Sequence, residues 1–472
     1  MMTFRSFAAT SVLALTVYAG PAQAQAPILV TTTADSGAGS LRAALAEAAA
    51  MDAPAQIIVT AAGDIAIDET LDYPGTAPLS IFGNGNSVTT AADVTLFSAS
   101  NGADLTLRAL HFAGPGGWSI ENRADADGSA GKGIFVDVRD DQTGLVSLVL
   151  HDVSVSGVAN HGIHVSDCSL ADECGGGSGG GGEGSPASIL VHLSDVRVED
   201  AGNGKFDADG LRVDERAEGS VTFIAHRSVF TGVGADGVEL DEGQAGDVIV
   251  EVTASAFNDN GAYCDPDLLA SALPDPDEAE YEEGEVAEAD IPGPVTGTLD
   301  DGCIEREVDL YEDGSVEAYA FGIDLDDGFD VDEAGDGSIH LVMDGSEIAR
   351  NLDEGLDFDE EGAGGIVVSI VRSTATGNND DGYKMSEEDA GDVTGTVLGS
   401  SAIGNGGVGA VFEEEGAGGV AVTIRDMVSY GNDDGETALE VVQEDDGAGS
   451  VDVSGGAMAE ATEVEGATLS GL

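Results

Sequence analysis

A pattern that returns every 27 residues, on either side of one interruption, governs what this chain can fold into. Glycines at 210, 237, 328, 355, 382 and 409 serve as origins. Each is followed by an apolar, a variable and another apolar residue: Leu211 and Val213, Val238 and Leu240, Phe329 and Val331, Leu356 and Phe358, Tyr383 and Met385, Ala410 and Phe412. A second glycine stands nine residues after each origin, from Gly219 to Gly418, and strict alternation follows it, as in Ile366, Val368 and Ile370. Period two over that length is a half-buried strand. Further on come a serine column (Ser228, Ser255, Ser346, Ser373, Ser400) and an asparagine column (Asn260, Asn351, Asn378, Asn405, Asn432). Asparagine suits an inner turn because its amide bonds neighbouring backbone and the residue tolerates left-handed φ. Looser units begin at Gly162 and near Glu440.

A unit of this length holds about three short strands, and none buries its apolar face alone, so the units must stack. The alternation and the 69 glycines exclude a helical solenoid. The expectation is all-β, a right-handed parallel β-helix of about 27-residue coils with a short N-terminal capping helix; a dozen coils make a rod roughly 60 Å long. Residues 28–50, ILVTTTADSGAGSLRAALAEAAA, resemble the entry segment of right-handed parallel β-helix repeat proteins. Residues 79–85 and 96–114 are similar to early coils of the pectate-lyase-like superfamily. That resemblance implies the fold and an extracellular habit. Many members are polysaccharide lyases or hydrolases, and others are adhesins or surface proteins.

Residues 1–24 read as an export signal: Arg5, an apolar stretch from Ala8 to Val17, and the small residues Ala22 and Ala24 flanking Gln23. The cap and first coils should occupy 27–120 and the repeats 121–460, with insertions at 168–186 and 263–319 and a tail at 461–472. The larger insertion carries DPDEAEYEEGEVAEAD and is expected to be merely solvated. A secreted or periplasmic chain favours two local disulfides, Cys168 with Cys174 and Cys264 with Cys303. A zinc alternative exists because His161 and His164 precede Cys168.

Charge narrows the partners. There are 90 acidic residues against 16 basic ones, and lysine occurs only at Lys132, Lys205 and Lys384. Nucleic acid and anionic membranes are repelled, and no membrane insertion is expected. The acids follow the repeat. Glu215, Glu242, Glu333, Glu360, Glu387 and Glu414 stand five residues after the origins, and Asp214, Asp241, Asp332 and Asp359 one residue earlier. Stacked about 5 Å apart, such carboxylates repel by about 1 kcal/mol per neighbour in a water-like dielectric. Calcium, which takes six to eight oxygens, or high salt would offset that cost.

The functional expectation is a secreted, non-catalytic protein that binds calcium through these ten acids and engages extracellular polysaccharide or a cell surface. Two alternatives stand beside it: a calcium-dependent polysaccharide lyase or hydrolase centred on coils 210–390, and a salt-adapted structural rod. Lyase chemistry needs a basic residue beside an acidic sugar. Arg212, Lys384 and Arg372 lie on the repeat, but each reads as a lone cation paired with acids.

Overall fold

The computed structural model describes residues 26–124, 130–168, 184–273, 281–311, 313–444 and 447–471. Its strands pair in parallel, each with the equivalent strand of the next coil, and form a right-handed parallel β-helix. One face is a 12-stranded sheet running from Leu71–Tyr73 to Ala461–Glu465. The other two faces join in a 22-stranded sheet, because in the early coils one long bent strand serves both, as in Gly144–Ser156 and Ala187–Glu199. Later coils split it in two: Ala187–Glu199 pairs first with Val221–His226 and then with Val229–Thr231. The bend falls on residues with left-handed φ, among them Asp152 (55°), Asp195 (55°), Arg227 (48°) and Arg372 (48°).

Register follows the sequence repeat. Leu211 aligns with Val238, and Val331 with Phe358. One continuous apolar core fills the coil from Val30 to Val453. The serine and asparagine columns stack as hydrogen-bonded ladders. Ser255 N–H donates to Ser346 Oγ (3.2 Å), and Ser346 N–H to Ser373 Oγ (3.2 Å). The amide of Asn351 donates to Asn378 Oδ1 (3.0 Å), and that of Asn378 to Asn405 Oδ1 (3.1 Å). Left-handed φ falls on the residue before each ladder asparagine, not on the asparagine: Asp259 (60°), Arg350 (58°) and Gly377 (66°). The asparagines are thus held for their amides, which satisfy one another where water is excluded.

Helix Leu41–Ala49 closes the N-terminal end. Ser40 Oγ accepts the Ala43 N–H (3.2 Å), and Leu41, Ala44, Leu45 and Ala48 face the core. No helix among the described residues is long and apolar enough to cross a membrane. Two segments depart from the sequence reading. The described part of the acidic insertion is folded, because its scattered apolar residues meet: Tyr263, Cys264, Leu269 and Cys303 cluster with Ile120 from the rod. An antiparallel hairpin, Ile304–Leu310 with Val316–Ile323, and the Cys264–Cys303 disulfide (Cα–Cα 5.4 Å) complete it. Residues 461–471, expected as a tail, add a further coil, since alternation persists there: Ala461–Glu465 pairs with Thr437–Gln443, and Ala467–Gly471 with Gly449–Ser454. Cys168 is buried, and its expected partner Cys174 lies outside the described residues, as do the export signal and most of the 168–186 insertion.

Candidate functional site

The 12-stranded face carries the acids. Within Leu211–Glu215, Leu211 and Val213 point into the core and Arg212 and Asp214 away from it, and Glu215 ends the strand. Stacking turns each position into a column. Arg212, Glu239, Asp330 and Asp357 align, Asp214, Asp241, Asp332 and Asp359 align, and so do Glu215, Glu242, Glu333 and Glu360. Glu387 and Glu414 continue the last column.

That glutamate column is enclosed. All six members have zero exposure. Glu215, Glu360 and Glu387 have both carboxyl oxygens buried, and backbone N–H groups of the turn that follows help to hold Glu215 (Ala217 and Gly219) and Glu387 (Asp389). Side-chain hydrogen bonds run from carboxyl to carboxyl, Glu215 to Glu242 to Glu333 to Glu360 to Glu387. Ionised carboxylates this close repel one another, and a proton shared between neighbours relieves that repulsion. Burial, reinforced by the carboxyls above and below, pushes Glu242 up to about 10 and Glu360 up to about 9. Burial also raises Glu215 and Glu414 to about 7. At the C-terminal end Gln443 supplies an amide donor to Glu414.

The aspartate half of the ladder faces outward together with acids from the turns. Three groups bring carboxylate oxygens within 4.8 Å of one another: Asp207, Asp209 and Glu239; Glu239, Asp241 and Asp332; Asp327, Asp353 and Glu354. A guanidinium lies within the first two. Arg212 Nη1 donates to Glu239 Oε2 (2.5 Å), Nη2 to Asp241 Oδ2 (2.8 Å) and Nε to Asp214 Oδ1 (2.8 Å). Arg216 adds a second bond to Asp241 Oδ2 (2.6 Å). Among the described residues the third group has only the Lys384 ammonium nearby, 3.6 Å from Glu354 Oε1 and 2.8 Å from Asp357 Oδ2. Asp357 Oδ1 and Asp359 Oδ1 are buried without a partner. Burial, then neighbouring carboxylates, push Asp353 and Asp359 up to about 8 and Asp332 to about 7. Of the ten acids picked from sequence, Asp241 and Asp332 thus join one group, Asp214 is tied to Arg212, Asp359 lies beside the third group's neighbour Asp357, and the six glutamates are enclosed. Glu239, Asp330 and Asp357 escaped notice because their column also holds Arg212 and Lys384, and so reads as variable.

Cations gather at the N-terminal end of this face. The Lys132 ammonium donates to His164 Nδ1, which leaves Nε2 as the proton-bearing nitrogen, and this donates to Asp214 Oδ2 (2.6 Å). The His161 and His164 rings lie 4.6 Å apart, and His161 Nδ1 accepts the Asp209 N–H (3.0 Å). Burial brings Lys132 down to about 7; burial and Lys132 together bring His164 down to about 4. This ammonium–imidazole–carboxylate chain joins three coils, so no local motif announces it. The one available signal was the shared outward parity of His164 and Arg212.

No family model and no curated protein sequence matches the chain. Among solved structures it is similar to the Dettilon tailspike protein (gp208), at 9% identity and a TM-score of 0.32 over 90% of this chain. The chain spans 64% of that tailspike's length. It is also similar to the periplasmic alginate epimerase AlgG, at 10% identity and a TM-score of 0.28, over 89% of this chain and 78% of the other. At such identities the likeness concerns the fold alone, which the strand register already establishes.

Proposed function

We propose that this protein works outside the cytoplasm as a β-helical rod whose acidic face takes up divalent cations, calcium foremost, and that it acts through extracellular interaction. The observation that carries this reading is the group formed by Asp327, Asp353 and Glu354 beside Asp357. It offers convergent oxygens, one nearby ammonium and, on Asp357, a buried carboxylate oxygen without a partner. A hard cation would satisfy all three conditions, since calcium takes carboxylate oxygens in flexible geometry. The Cys264–Cys303 disulfide supports an oxidising location. The test is calorimetric titration of calcium at about 0.15 M sodium chloride. Uptake that survives this salt and is lost in Asp353→Asn supports the site. Uptake that vanishes with the added sodium, or is the same in Asp353→Asn, overturns it.

The Lys132–His164–Asp214 chain favours a second reading, an enzyme acting on polysaccharide. A buried amine brought down to about 7 can hold or release a proton near neutrality, with His164 and Asp214 to orient it. Release of unsaturated or reducing ends from a uronate polymer, abolished in Lys132→Met, supports this reading. Absence of turnover across such polymers refutes it.

A further inference from the structure

We propose that two copies of this chain pair face to face through a near-neutral plate formed by Asp247–Thr253, Ser338–Asp344, Gly365–Val371, Asp392–Leu398 and Gly419–Arg425. These strands, seven residues each, stack in register in the 22-stranded sheet. Inside the rim their outward residues are aliphatic, serine or threonine, with His340 and three charged exceptions, Glu251, Asp344 and Arg425. Asp344 is paired with Arg372, and Asp247 and Asp392 stand at the rim, where their strands begin. Ile249, Val342, Val367 and Leu398 are 42%, 53%, 45% and 40% exposed, and the register makes them neighbours across four successive strands. Single exposed aliphatics are ordinary, but a contiguous seam of them is not, least of all in a chain of 90 acids.

Charge and dimensions identify a second copy as the occupant. The plate and the acidic sheet lie on opposite sides of one core: a Cβ at Gly395 would come within 2.6 Å of the Phe412 ring, and Phe223 meets Phe329 edge-on at 5.4 Å. A basic partner is drawn to the acidic sheet instead of the plate. Two copies joined plate to plate turn both acidic sheets outward, about 30 Å apart at about 10 Å per sheet spacing, well beyond the Debye length of about 8 Å at 0.15 M salt. Their coil rise is identical, so the side-chain rows of one copy can seat between those of the other, as in a β-sandwich. Strands about 4.8 Å apart and about 3.3 Å per residue give a plate of about 550 Å², and two such plates bury about 1,100 Å², just above the roughly 1,000 Å² a specific interface needs. A groove of about 410 Å³ at the rim, walled by Gly364, Val367, Gly391 and Thr394, offers room for side chains of the other copy. The pairing is independent of cation uptake and leaves the acidic sheet free for it.

The test is sedimentation equilibrium in chelator, across micromolar concentrations, at about 0.15 M and about 1 M sodium chloride. The wild type should approach twice the mass of one chain as its concentration rises. Added salt should tighten the pair, because it screens the repulsion between two chains of net charge −74 and leaves the apolar contact intact. A contact made by the acidic sheet would respond with the opposite sign. Val342→Glu places a charge in the seam twice per pair and should weaken pairing about tenfold or more. Thr394→Glu should do the same without removing an apolar side chain. Both positions are exposed in the single chain, so melting temperatures in dilute solution that match the wild type show that the variants fold. A monomer at every concentration, association beyond two chains, a pair that salt dissociates, or one that both variants leave intact overturns the proposal.

Discussion

Protonation of the glutamate column has a consequence whose sign is fixed. A glutamate in the unfolded chain loses its proton near 4.3, whereas Glu360 holds its own up to about 9 and Glu242 up to about 10. Between those limits the folded state binds more protons than the unfolded, so stability falls as pH rises. The contribution is fully present below about pH 4.3 and lost through pH 9 to 10. Melting temperature should therefore decline from mildly acid to alkaline buffer. Glu360→Gln should flatten that decline, being near neutral at pH 6 and stabilising at pH 9, because an amide keeps a donor as Gln443 does. A steeper decline in the variant would contradict a shared-proton column. Depressed Asp214 acts with the opposite sign but only in acid. An asparagine in the ladder makes a different prediction. Asn378→Ala leaves the buried backbone N–H of Asn351 without an acceptor and takes one of two acceptors from the Asn351 amide, at a cost of about 1–3 kcal/mol. Denaturant unfolding of the variant measures it.

Elements show how far the sequence could be read. The columns were legible because a coil that sits on its predecessor repeats its environment, so Ser346 and Ser373 meet the same neighbours. The glycine column was visible, but its reason was not. Gly364 has no need of left-handed φ; a Cβ there would lie 1.3 Å from Gly337 O, and one at Gly418 would lie 1.4 Å from Gly391 O. Backbone stacked on backbone leaves no room for a side chain. Gly364→Ala must therefore shift the turn, and it should lower the melting temperature by several degrees while the solvent-facing Thr376→Ala leaves it nearly unchanged. The enclosure of the glutamates follows from parity, since Glu215 shares the side of the strand on which Leu211 and Val213 enter the core. The insertion was opaque because its cluster depends on Ile120, a residue from another coil.

At the scale of the whole molecule the question is whether the acids are a general surface or an address for one ion. A net charge of −74 spread along a rod destabilises the folded state by self-repulsion, and added salt relieves it as the Debye length falls from about 8 Å at 0.15 M to about 3 Å at 1 M. Molar sodium chloride should raise the melting temperature of any chain so charged, whatever its sites. Calcium bound at Asp327, Asp353 and Glu354 acts otherwise, stabilising in proportion to the logarithm of its concentration over its dissociation constant. At 1 M sodium chloride the general effect is saturated. A further rise on adding millimolar calcium, absent with millimolar magnesium at equal ionic strength and absent in Asp353→Asn, would isolate the site from the surface. Magnesium discriminates because it demands a near-ideal octahedron and keeps its water, whereas calcium accepts irregular carboxylates. If calcium adds nothing above molar sodium, the outward acids are a screened surface. The protein's specific chemistry then lies at the other end of the face, where Lys132, His164 and Arg212 are gathered among them.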